Sequence, residues 1–391
     1  MPSQSTKHSA LIVVGLAFFT DTLVYAMLPP LLPEYARLHG LSQTRLGLLF
    51  GSYAAALLLA TLPLGAWVDR WGRRGPFLGG LVGFGAATIL FAFAGSFPLL
   101  ILARILQGIA ASATWVAGLS MLADHFPPHQ RGKAMSAAFA CTNVGLLLGP
   151  AFAGWMLKVS SLRAAFLWVA GLAVLDTLAR LTLLPQDPPS PPTRTSYLGL
   201  LKDGTVRLFA GVMGMGAILG AVLEAVLPLH LERTLGMDAL AIGLVFATGA
   251  LASTLVSPLV GHWTDRRGAR EPLALGLALA ALLLATVAFI PTRTGIFLFM
   301  FALGGTCSLL MSPCGPALAG HVEKQGGAAH GSVFSLLNIS FSLGLMVGPM
   351  LGSALTDWVG LKAALGVVAT GFALYLLPLS LGRGTTTRVD A

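Results

Sequence analysis

Charge is what this sequence has least of. Only 10% of its 391 residues are Asp, Glu, Lys or Arg, whereas an ordinary soluble domain carries about 25%, and this argues against a solvated globular protein. Cysteine is scarce as well. Cys141, Cys307 and Cys314 lie inside apolar segments without CxxC spacing, so neither a disulfide framework nor a zinc site is expected. A GxxxxGK[ST] loop is missing, which excludes ATP hydrolysis of the P-loop kind. The scattered histidines His230, His262, His321 and His330 build no Ser/His or HxxxxD-like constellation, and no paired-Asp motif stands in for one. The sequence therefore reads as a non-enzyme with no metal and no cofactor.

What it has is apolar length. Hydrophobic residues make up 55% of the chain, in runs of roughly 20 residues, long enough to cross a bilayer, with no stretch left over for a separate soluble domain. Breaks at Gly, Pro and charge clusters predict twelve helices starting near residues 9, 46, 75, 98, 132, 163, 205, 240, 271, 295, 329 and 361. The first run exceeds the short apolar core of a signal peptide and lacks a small-x-small cleavage pattern, so it reads as a retained helix. Between the sixth and seventh runs, "LPQDPPSPPTRTSYLGLLKDG" reads as a linker. The expected architecture is an all-α membrane protein of twelve transmembrane helices in two pseudo-symmetric six-helix bundles. These cover residues 1–184 and 205–391, joined by a cytoplasmic linker at 185–204.

The formal net charge of +9 could suggest nucleic acid in a soluble protein. Here the basic residues are spread over short loops, the pattern of a topology signal, and no nucleic-acid partner is expected. With both termini on the cytoplasmic side, sixteen Lys and Arg fall inside and seven outside, Arg104 remaining within a span. That asymmetry sets the expected orientation. Eighteen arginines against six lysines, with abundant Ala, Leu and Gly, suggest a high-GC bacterial genome. The expected location is then the cell inner (plasma) membrane, as a multi-pass monomer in the lipid bilayer.

The chain also repeats itself. "GAWVDRWGRR" at 65–74 recurs as "GHWTDRRGAR" at 261–270, an offset of 196. "GLLLGPAFAG" at 145–154 recurs as "GLMVGPMLGS" at 344–353, an offset of 199, and "YAMLPPLL" from Tyr25 mirrors "EAVLPLHL" from Glu224 at the same offset. With Gly65, Asp69, Arg70, Gly72, Arg73 and Arg74 in one loop, Arg104, Gln107 and Gly108 in the fourth span, and Gly145, Gly149, Pro150 and Gly154 in the fifth, the chain resembles the major facilitator transporters. The stretches "ARILQGIAASATWVAGLSMLADHF", "LEAVLPLHLERTLGM" and "HGSVFSLLNISFSLGLMVGP" are similar to vesicular amine transporters and their bacterial relatives among drug:proton antiporters.

That resemblance implies alternating access around a site between two halves. It implies proton-coupled antiport, in the efflux direction, of a small cationic or amphipathic substrate such as a lipophilic cation, amine or drug. Asp69 in the signature loop is placed to accept from a helix N-terminus, which carries unpaired N–H groups and partial positive charge. The loop arginines double as topology anchors, and Asp124 at the inner end of span four is expected to pair with them. Gly145, Gly149 and Gly154, with Gly344, Gly348 and Gly352 in the second half, let helices approach closely, and Pro150 and Pro349 each remove a backbone donor. This set is expected to serve gating, with close helix packing alone as the alternative, and its repetition in the second half supports a structural role first.

An ionisable group within a span is a functional candidate by default, and Asp21, Arg104, Asp176 and Glu224 are such groups. Asp176 stands four residues before Arg180 and could pair with it along one helix face. Arg104 could organise a polar network or sense the proton site. Asp21 and Tyr25 share a helix face at i and i+4, and the repeat sets Glu224 at the position equivalent to Tyr25. In the implied fold these faces line a central cavity. A carboxylate there can hold a proton or an amine but not both, which is a minimal mechanism for exchange. Two further acids of the amine transporters are missing, Asn338 standing at one position and Met311 or Ser312 at the other, and their second-span lysine corresponds to Tyr53. Phe18, Tyr53, Trp115, Phe139, Met215, Phe334 and Phe341 are candidate walls for an amphipathic substrate. The alternative reading is a transporter of a neutral or anionic small solute, for which only Arg104 is available.

Overall fold

In hydrocarbon every backbone N–H and C=O must be satisfied by the protein itself, as an α-helix does within its own segment, and this computed structural model is built from helices. It describes residues 4–183, 202–324 and 330–381. In chain order the helices are α1 (Gln4–His39), α2 (Gln43–Trp71), α3 (Arg74–Phe93), α4 (Phe97–His125), α5 (Pro128–Val159) and α6 (Leu162–Leu183). There follow α7 (Gly204–Leu235), α8 (Ala239–Arg267), α9 (Arg270–Thr286), α10 (Arg293–Met311), the short α11 (Cys314–Lys324) and α12 (His330–Leu381). Most of the linker expected at 185–204 lies outside the described residues.

One boundary differs from the expected pattern. The tenth run is broken between α10 and α11, where Pro313 cannot donate to the helix ladder. The eleventh and twelfth runs are two helices, labelled together as α12, that meet at Gly360, whose φ 79° and ψ 160° are not helical, beside the expected start near residue 361. Elsewhere the ends follow local chemistry. Asp203 caps α7 by accepting from the N–H groups of Thr205 at 2.7 Å and Val206 at 3.3 Å, and Gly236 closes the same helix in the left-handed region. Inside the spans, hydroxyls fold back on their own helices, as Thr22 does on the Phe18 carbonyl and Thr88 on the Phe84 carbonyl.

The chain divides into two compact units. The first contains residues 1–40, 52–193 and 237–247, the second 41–51, 194–236 and 248–391. In the first, Ala10, Val14, Phe18, Val68, Phe77, Met121 and Ala138 belong to a buried core drawn from α1 to α5. Gly145 and Gly149 set α5 directly against α1. A Cβ on Gly145 would lie 2.8 Å from the Phe19 carbonyl and one on Gly149 2.7 Å from the Leu23 carbonyl, so no larger residue fits without moving a helix.

Candidate functional site

Asp21 sits in α1 with 5% of its surface exposed. A buried carboxylate is costly unless its oxygens are satisfied, and here both are. Tyr53 Oη of α2 donates to Oδ1 at 2.7 Å, and Trp115 Nε1 of α4 donates to Oδ2 at 2.7 Å. Two neighbouring helices thus close over the carboxylate. Trp115 is fixed in turn by stacking on Phe18, with ring centroids 3.9 Å apart and planes inclined by 13°. Phe139 of α5 completes the aromatic group at 6.1 Å from Trp115. Of the proposed wall residues, Tyr53 and Trp115 thus touch the acid, and Phe18 and Phe139 pack about Trp115.

A second polar group adjoins the first. The Arg104 guanidinium lies over the Tyr53 ring, 4.7 Å from its centroid, and its Nη1 donates to Gln107 Oε1 at 3.0 Å. Gln107 Nε2 passes the chain on to Thr88 Oγ1 at 3.1 Å. Arg104 Nε and Nη2 are buried and have no hydrogen-bond partner among the described residues. Tyr25 is also buried, its ring 5.6 Å from that of Tyr53. Asp21 and Tyr25 do share a face, yet the direct ligands of the carboxylate come from α2 and α4.

In the second unit Glu224 is half-buried on α7 and Asn338 is exposed on α12. Hydroxyl pairs tie α8 to α10: Ser253 to Ser308 at 3.0 Å and Ser257 to Ser312 at 2.8 Å. Thr61 and Ser112 make the matching pair between α2 and α4 at 3.0 Å. The first turn of α2 carries contacts that no motif announced. Asp357 Oδ2 accepts from the Thr44 N–H at 2.8 Å and from its hydroxyl at 2.6 Å, while Gln43 Nε2 donates to the Ala225 carbonyl at 2.8 Å and to Ser353 Oγ at 3.2 Å. Gly47 meets Ser353 and the Pro349 carbonyl so closely that it has no room for a side chain. Pro349 was readable as a packing residue, but the partnership of Thr44 with Asp357, 313 residues away, has no sequence signal.

Of the gating candidates, Gly72 has φ 88° and joins α2 to α3 in the left-handed region. Gly268 repeats this between α8 and α9 with φ 84°, so the repeat of 196 residues extends to backbone conformation. Arg73 Nε lies 2.7 Å from Asp124 Oδ2, both side chains largely buried. Arg70 and Arg74 are exposed, and Gly65 has open space around it. Gly154 packs on the Ala239 carbonyl and Pro150 on Gly243, which join α5 to the start of α8, and Gly348 packs on Ala221 of α7. The Asp69 and Arg180 side chains lie outside the described residues, so neither the hydrogen bond expected from a helix N-terminus to Asp69 nor the pairing of Arg180 with Asp176 is described. Asp176 itself is buried.

A model of the Major Facilitator Superfamily matches residues 14–225 and again 208–388. The chain is 31% identical to the chromaffin granule amine transporter of Homo sapiens over 81% of its own length and 61% of that protein's. It is 28% identical to the synaptic vesicular amine transporter of Rattus norvegicus, over 84% of its own length and 65% of the relative's. The match thus spans less than two thirds of either relative. Among solved structures, a bacterial homolog to the human lysosomal transporter Spinster superposes with a TM-score of 0.83 at 17% identity, covering 97% of each chain. At that identity the likeness concerns the fold.

Proposed function

The chain belongs to the Major Facilitator Superfamily, and from that premise we propose that it exchanges protons for lipophilic cations or amines, with Asp21 as the group that carries one or the other. It is a multi-pass membrane transporter and not an enzyme. The finer reading rests on one observation: a buried carboxylate held by Tyr53 and Trp115 beside stacked aromatic rings.

The two oxygens of Asp21 are chemically unequal. An indole N–H only donates, so Oδ2 stays an acceptor, whereas a phenol can donate or accept. A proton on Asp21 therefore resides on Oδ1, with the Tyr53 hydroxyl turned to accept it. When that proton leaves, the negative charge is answered by the Tyr53 and Trp115 donors and by Arg104 across the Tyr53 ring. An ammonium group entering from the aromatic side replaces the proton and gains cation–π contact as well. Glu224, half-buried on α7, is the second candidate acid, and Tyr25 and Tyr53 complete the polar lining.

The same reading places two six-helix bundles, residues 1–184 and 205–391, in a plasma membrane with both termini cytoplasmic, acting as a monomer. The unpartnered Nε and Nη2 of Arg104 favour a second reading, in which a neutral or anionic solute accepts from them. Calorimetry in buffers of different ionisation enthalpy separates the two. Binding of a lipophilic amine is expected to release a proton from the wild type and none from Asp21→Asn. Binding of an anion that survives Asp21→Asn and is lost in Arg104→Gln would favour the second.

A further inference from the structure

An apolar groove of about 360 Å³ runs between α8, α9 and α10 in the second unit. Val256 and Trp263 line it on α8, Leu275 and Leu283 on α9, and Ala302 and Leu309 on α10. Each pair stands seven or eight residues apart on its helix, so the groove extends over about 11 Å at the rise of an α-helix. Leu259 and Leu275 on its rim are 70% and 41% exposed, which opens it along its length. Only two lining side chains carry a hydrogen-bonding atom, and both are engaged: Thr306 donates to the Ala302 carbonyl at 2.8 Å and Trp263 Nε1 to Glu271 Oε2 at 3.2 Å. No polar ligand is accommodated inside. On helices of a hydropathy suited to a bilayer, a groove of this lining suits hydrocarbon.

What lies at the mouth narrows the occupant further. Trp263 ends the groove one turn before Arg266 and Arg267, and α9 opens with Arg270. Glu271 is drawn toward Trp263 and toward Arg267, whose Nη1 is 3.9 Å from its Oε2. Asp265 and His262 are exposed on the same turn of α8, so the turn from α8 to α9 carries three arginines against two carboxylates and is net positive. We propose that this groove binds an anionic phospholipid, one acyl chain lying between α8, α9 and α10 and the phosphate held by Arg266, Arg267 and Arg270. The equivalent turn of the first half has Trp67 in the place of Trp263 but Gly75 in the place of Glu271, so the tethered indole belongs to the second half alone. The site is independent of the exchange reading.

Native mass spectrometry of the full chain, incubated with phosphatidylglycerol or phosphatidylcholine of identical acyl chains, tests the proposal. The wild type is expected to retain the anionic lipid preferentially, by about fivefold for each arginine that meets the headgroup. Arg266→Gln/Arg267→Gln, both exposed positions, removes the preference while leaving chain retention, and Ala302→Trp fills the groove and lowers retention of both lipids. Equal retention of the two lipids by the wild type would overturn the proposal. So would a preference that survives both variants, each verified as folded by its melting transition.

Discussion

Trp115 and Tyr53 hold the same carboxylate with donors of different character, and this makes the hydroxyl of Tyr53 the separable part. Tyr53→Phe keeps the ring beneath Arg104 and removes only the donor to Oδ1. A hydrogen bond to a charged group is worth about 1.5–3 kcal/mol, so the variant is expected to melt earlier than the wild type. In an Asp21→Ala background the same change has no acceptor to deprive and is expected to leave the melting temperature nearly unmoved, as a double-mutant cycle would register. An equal loss in both backgrounds would show the hydroxyl acting elsewhere. Asp21 was legible in the sequence because a lone carboxylate in an apolar run has few structural explanations. Its partners were not. Residues 32 and 94 positions away meet it only through the rotation and crossing of α2 and α4, which one-dimensional spacing does not encode. Tyr25, at i+4, shares the helix face, yet Asp21 takes its ligands from α2 and α4.

Helices were legible to within a few residues. The expected starts at 75, 163, 205, 240 and 271 fall one residue from those of α3, α6, α7, α8 and α9, because Gly, Pro and charge clusters end apolar runs sharply. The close approach of α5 to α1 was also readable, from Gly145 and Gly149, since small residues four apart make a flat face. The fastening of α2 was not, because its residues are common surface types. The free N–H groups at the start of a helix attract a carboxylate, and Asp357 supplies one to Thr44 from α12. With Cys141, Cys307 and Cys314 replaced by serine, Asp357→Asn is expected to raise the rate of maleimide labelling at Ser353→Cys, a position fully buried here. A labelling rate unchanged by Asp357→Asn would mean that the Gly47 packing alone holds this turn.

Across the whole molecule, duplication is the strongest signal. The offsets of 196 and 199 residues were visible as letters, and Gly72 with Gly268 carries the first of them into backbone angles. Membrane location followed from scarcity of charge, and family membership from the motifs. The measurement that bears most directly on the account uses proteoliposomes loaded with a pH-sensitive dye under an imposed proton gradient, with a panel of lipophilic amines added to the wild type and to Asp21→Asn. Amine-triggered proton movement is expected in the wild type and none in the variant. Proton movement at the wild-type rate in Asp21→Asn, or none in either protein while both remain folded, would contradict it.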